Sequence, residues 1–118
     1  MRPIQYIIVY DCGKRRDHHY SVNRKGFVEK KLHIRKPVNI IDRRIDPDGY
    51  NSSSIGIHVS HSQNADNAIQ HETLVDLLVA LRMDYPEAMI LGLSEIGSYY
   101  IKVSEKMNQL RMELAEKP

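Results

Sequence analysis

The sequence predicts an α/β fold: a mixed central β-sheet flanked by helices. Three observations carry this expectation. Residues 4–10 read IQYIIVY, β-branched and aromatic with apolar side chains on both alternating faces, the pattern of a central strand covered on both sides. Strand-like stretches cluster in the first half of the chain, whereas strand and helix patterns alternate in the second. Leu74, Leu77, Leu78 and Leu81 form an apolar stripe at helical spacing, with Pro86 just beyond it.

The remaining elements follow in order. Residues 11–17 are polar with a glycine and read as a turn. Residues 18–22 and 27–34 read as strands joined by the turn Asn23-Arg24-Lys25-Gly26, which makes a hairpin. Residues 37–49 are the least regular; Val38-Asn39-Ile40-Ile41 is expected as a brief strand, and Pro47-Asp48-Gly49 as a turn. In residues 54–60, SIGIHVS, Ile55, Ile57 and Val59 share one face, and Gly56, His58 and Ser60 the other. Gly56 within that strand points to close approach by another backbone or a ligand. Asp66 or Asn67 is placed to cap the leucine-striped helix. Residues 89–91 read as a short buried strand, and residues 102–117 as an amphipathic helix with Val103, Met107, Leu110 and Leu114 on one face.

Composition narrows the function classes. The 118 residues fit a single domain, 1–118, with one core. No apolar run approaches the roughly 20 residues of a membrane span, so no membrane partner is expected. The opening Met1-Arg2-Pro3-Ile4 runs straight into strand-like sequence, so no signal peptide is expected and the chain is expected in the cytoplasm as synthesised. One cysteine, Cys12, gives neither a disulfide framework nor a multi-cysteine metal site. Net charge is +2, with basic clusters at Lys14-Arg15-Arg16, Lys30-Lys31, Arg35-Lys36 and Arg43-Arg44. Such clusters are commonly solvated faces, and a nucleic-acid partner is not expected.

Three stretches, in this order, resemble the zinc-dependent N-acetylmuramoyl-L-alanine amidases, the family of phage lysozyme-type amidases and peptidoglycan-recognition proteins. Residues 1–10, MRPIQYIIVY, resemble the opening strand. Residues 49–59, GYNSSSIGIHV, are similar to the glycine-tyrosine-asparagine turn and its strand. Residues 70–96, QHETLVDLLVALRMDYPEAMILGLSEI, resemble the long helix, its tyrosine-proline stop and the last strand. The resemblance implies an amidase-like fold, but one in which the helix after the first strand is missing, because only residues 11–17 remain for it.

The family's chemistry needs a zinc on three side chains, with a water whose pKa falls toward ~7 in the open position. The resemblance places these ligands at Tyr10, at Leu93 and near Ile101. Leucine and isoleucine carry no donor atom, and neutral tyrosine is a poor ligand. No metal ligand and no zinc cofactor is therefore expected. The segment Asp17-His18-His19-Tyr20 is similar to a glycine-tyrosine-histidine segment, with His18 where the family has a tyrosine that assists catalysis.

The expected function is that of a degenerate amidase-like domain, not hydrolytic, that binds peptidoglycan fragments. Tyr10, His18, His19, His58, Glu95 and Tyr99 are the candidate ligand-binding residues, with Tyr10, His19, His58 and Glu95 expected on one concave surface. No catalytic residue is assigned. A zinc site rebuilt from His19, His58 and Glu95, and a nucleophilic Cys12, are weaker alternatives, as are sugar-stacking roles for Tyr50, Tyr99 and Tyr100. His18 and His19, as neighbours on a strand, are expected on opposite faces. Two further functions stay open: a protein–protein or homodimerisation module using surplus apolar surface on the C-terminal helix, and an active amidase working through another site.

Overall fold

The computed structural model describes residues 2–10, 17–41, 44, 46, 49–60, 67–96 and 105–117. Five strands form one sheet: β1 (Tyr6–Tyr10), β2 (Tyr20–Val22), β3 (Val28–Lys30), β4 (Ser54–Val59) and β5 (Met89–Gly92). Their order is β3-β2-β4-β1-β5. β4 runs parallel to β1 and β2, and β5 runs parallel to β1; the β2–β3 hairpin alone is antiparallel. The sheet is therefore mixed, as the pattern predicts. Residues 11–16, which bear on the expectation that the helix after the first strand is missing, lie outside the described residues.

The period-2 alternation of β1 and β4 divides the core in two. Ile7, Val9, Ile55 and Ile57 face α2 (Ala68–Asp84) and α3 (Glu105–Ala115), and pack with Leu74, Leu78, Leu81, Met107, Leu110 and Leu114. Ile8 and Tyr10 face the other way, into Val38, Ile40, Ile41 and Ile96. β1 is thus covered on both faces, which is why its sequence shows no polar alternation. Asn67 caps α2, its side chain accepting from the Gln70 amide at 3.1 Å. The apolar side chains of α3 at Met107, Leu110 and Leu114 are spent on this core; Met112 alone among its larger apolar residues is exposed.

Two local expectations need correction. Residues 38–41 form no strand, although Val38, Ile40 and Ile41 are buried. Their partner is a side chain: the Asn51 amide oxygen accepts from the backbone amides of Ile40 and Ile41, both at 3.0 Å, and its nitrogen donates to the Ile41 carbonyl at 2.6 Å. Asn51 sits on α1 (Tyr50–Ser53), a single turn entered from Gly49 at φ 70°, where a left-handed backbone favours glycine. The second correction concerns residues 27–34, where regular pairing is confined to β3. Beyond it, the amides of Lys31 and Leu32 donate to the carbonyls of His19 and His18.

Candidate functional site

Tyr10 ends β1 and His58 lies opposite it in the parallel register with β4. Both project to the face away from α2 and α3, because Val9 and Ile57 take the helix side. His18, just before β2, completes a run of three rings. The Tyr10 and His58 centroids are 5.2 Å apart and tilted, and those of His18 and His58 are 5.5 Å apart and stacked. The Tyr10 hydroxyl donates to the Asp17 carbonyl at 3.0 Å. Tyr10 and His18 are buried, while His58 is partly exposed and gives the cluster its contact with solvent.

Gly56 makes this arrangement possible. A Cβ there would stand 2.8 Å from Ile40 Cδ1, 3.2 Å from Val38 Cγ1 and 3.5 Å from His18 Cα. The close approach foreseen from the glycine is thus by the chain's own segments. Gly56→Ala is expected to destabilise the fold by about 1–3 kcal/mol through overpacking, and to disturb the His18–His58 stack. Urea unfolding of the variant checks the first effect; an unchanged midpoint would mean that Ile40 and Val38 yield freely.

The other candidate residues lie elsewhere. His19 does diverge from His18, but the two precede β2 rather than alternate along it. The His19 ring is fully buried: Nδ1 accepts from the Gly56 amide at 3.0 Å, and Nε2 lies 2.7 Å from the Lys36 carbonyl. A carbonyl can only accept and an amide can only donate, so the ring is the neutral tautomer protonated at Nε2. Burial foremost, and the neighbouring Arg2 guanidinium as well, lower its pKa, against an opposing effect of the Lys36 carbonyl. Arg2 donates to the carbonyls of Ile34, Ser52 and Ser54. Sequence reading missed this knot, which ties residues distant in the chain and has no local signature.

Glu95 is also committed. Its carboxylate makes a bidentate pair with Arg111, at 2.8 and 2.7 Å, and accepts from the Gly92 amide at 2.8 Å. That pairing raises the Arg111 pKa and fastens α3 to the end of β5. Tyr10, His18 and His58 therefore come together, while the His19 ring is buried in contacts of its own and Glu95, just beyond β5, is paired with Arg111. The zinc site imagined from His19, His58 and Glu95 is not assembled. Tyr99, Tyr100, Cys12, His61 and Ile101 lie outside the described residues. Tyr50 packs its ring 4.7 Å from that of Tyr6.

At the positions where the resemblance puts zinc ligands, Tyr10 is held by Asp17 and Leu93 packs against the apolar cluster of Ile8, Ile40 and Ile96. Among the described residues, no three His, Cys, Asp or Glu side chains are grouped to hold a metal ion. No helix among them is long and apolar enough to cross a membrane.

No protein-family model matches the chain, and no curated protein matches it. Solved structures do. The N-acetylmuramoyl-L-alanine amidase LysC from Clostridium intestinale URNW superposes with a TM-score of 0.67 at 14% identity, over 98% of this chain and 88% of that one. The endolysine N-acetylmuramoyl-L-alanine amidase LysCS from the same organism gives 0.65 at 15% identity, over 98% and 86%. At such identity the likeness speaks for the fold, and the chain has an amidase-like α/β fold.

Proposed function

We propose that this chain binds peptidoglycan fragments on an amidase-like scaffold, without zinc and without hydrolysing them. The observation that carries the reading is the ring cluster of Tyr10, His18 and His58 at the ends of β1 and β4. It occupies the place where the resemblance puts the first zinc ligand, and a tyrosine and two imidazoles fill it. Leu93, at the second ligand position, offers hydrocarbon only. This donor set does not fit a catalytic zinc, which needs three nitrogen, sulfur or carboxylate ligands and an open position. The partly exposed His58 ring, backed by buried His18 and Tyr10, is where a sugar or peptide amide would meet the cluster.

Co-sedimentation of the purified protein with peptidoglycan sacculi, with and without added zinc, tests this reading. Binding is expected under both conditions to the same extent. His58→Ala is expected to weaken it about tenfold, the size of one well-placed contact. Muropeptide release that a chelator abolishes would overturn the loss of hydrolysis. Absence of binding with and without zinc would overturn recognition of the wall and turn attention to a protein partner.

A further inference from the structure

Charge is divided unevenly along the chain. Residues 1–60 carry twelve Lys and Arg against six Asp and Glu, net +6; residues 61–118 carry five against nine, net −4. The fold turns this division into geometry. β3 is an edge of the sheet, paired on one side only with β2. Along it and just beyond it lie Lys25, Lys30, Lys31, Arg35 and Lys36, all exposed. None of the five has an ion-pair partner among the described residues. The one acid in this stretch, Glu29, accepts from the Asn23 side chain at 3.1 Å. The exposed acids Glu72, Asp76 and Asp84 stand on α2.

Lysines on an edge strand also deter pairing between copies. That role needs charge on β3 alone, yet the band continues through Arg35 and Lys36 on the chain that follows. From Phe27 to Lys31 the extended chain spans roughly 13 Å, with Lys25 on the turn before it and Arg35 and Lys36 beyond it, enough to follow several charges of a linear polymer. Four of the five cations are lysines, point charges that attract phosphate without reading a planar partner. The described residues place two exposed rings along the band, Phe27 at its turn end and His33 six positions on, with none between them. A strand of bases would find no row of stacking platforms there.

We propose that this edge, which reaches the Tyr10–His18–His58 cluster where Leu32 pairs with His18, is a docking surface for a linear polyol phosphate of the cell wall. The choice of polymer rests on the wall-binding function proposed above. Fluorescence anisotropy with labelled poly(glycerol phosphate) tests it. Neutralising four phosphates, at a slope of about −0.7 per contact, weakens binding about 50-fold between about 50 and about 200 mM salt. Changing Lys25, Lys30, Lys31 and Lys36 together to Gln is expected to remove most of that salt dependence, whereas the matching Lys→Arg variant keeps it. Circular dichroism confirms that both variants fold. Unchanged binding by the Gln variant would overturn the proposal, as would tighter binding of an oligothymidylate with the same number of phosphates, which would indicate a nucleic-acid surface. Polymer-free sacculi separate the two readings. If they bind through His58 while poly(glycerol phosphate) does not bind, this inference alone fails; the reverse pattern leaves it standing and removes the peptidoglycan reading.

Discussion

Asn51→Ala is expected to lower the free energy of unfolding by about 3 kcal/mol. The side chain is buried and replaces a strand partner for residues 38–41, satisfying the amides of Ile40 and Ile41 and the carbonyl of Ile41. Each buried polar group left without a partner costs about 1–3 kcal/mol, and relaxation of the segment keeps three such losses from adding in full. The damage extends to the site, since Val38 and Ile40 lie over Gly56 and pack with Tyr10. Asn51→Asp keeps the acceptor for both amides but sets a buried carboxylate oxygen against the Ile41 carbonyl, so near neutral pH it should destabilise the fold at least as much. Urea denaturation of the variants measures both. A loss below about 1 kcal/mol for the alanine variant would mean that burial of Val38, Ile40 and Ile41 holds the segment unaided.

The same residue marks the limit of what the sequence discloses. Val38-Asn39-Ile40-Ile41 has the composition of a strand, and composition reports burial correctly here. It does not report which group satisfies the backbone, because a side chain 10 residues away does so. β1, β4 and α2 were legible because each carries a periodic pattern that its own residues impose: double-sided burial in residues 4–10, alternation in residues 54–60, and a leucine stripe behind the Asn67 cap. The ring cluster was partly legible. Tyr10 and His58 follow from strand parity, but the path that brings His18 over Gly56 depends on where β2 begins. Glu95 enters the candidate set from its place in a resemblance; its pairing with Arg111 joins β5 to a helix whose apolar face is legible, but no local pattern matches these two residues across 16 positions.

The use the fold makes of its polar residues bears on stability throughout the sheet. Arg2, His19 and Glu95 are polar residues consumed by architecture: Arg2 and His19 tie the start of the chain to β4 and to the segment before Pro37, and Glu95 ties α3 to β5. Of the expected set, Tyr10, His18 and His58 form one ring cluster, which meets solvent at His58.

Acidification is expected to destabilise the protein in a window that His19 sets. Its ring is neutral when folded, with Nδ1 occupied by the Gly56 amide and Arg2 alongside at 3.1 Å from Nε2. Protonation would put a second hydrogen where the Gly56 amide donates and a cation beside a guanidinium. The folded pKa is accordingly below the ordinary value of about 6.5. The sign follows from proton counts. The unfolded chain binds the proton more readily, so the stability from neutral His19 is complete above about pH 6.5. It is lost as pH falls toward the folded value, at about 1.4 kcal/mol per pH unit. His19→Asn places an amide oxygen near the position of Nδ1 and removes the titration, at the cost of the Lys36 contact. The variant should be less stable at pH 7.5 but lose less between pH 6.5 and 5 than the parent, a comparison in which the shared carboxylates cancel. Urea midpoints across that range measure it. Parallel curves for parent and variant would show that the folded protein admits a proton at His19 without breaking the bond to Gly56, and the knot would then be held by Arg2 and its three carbonyls.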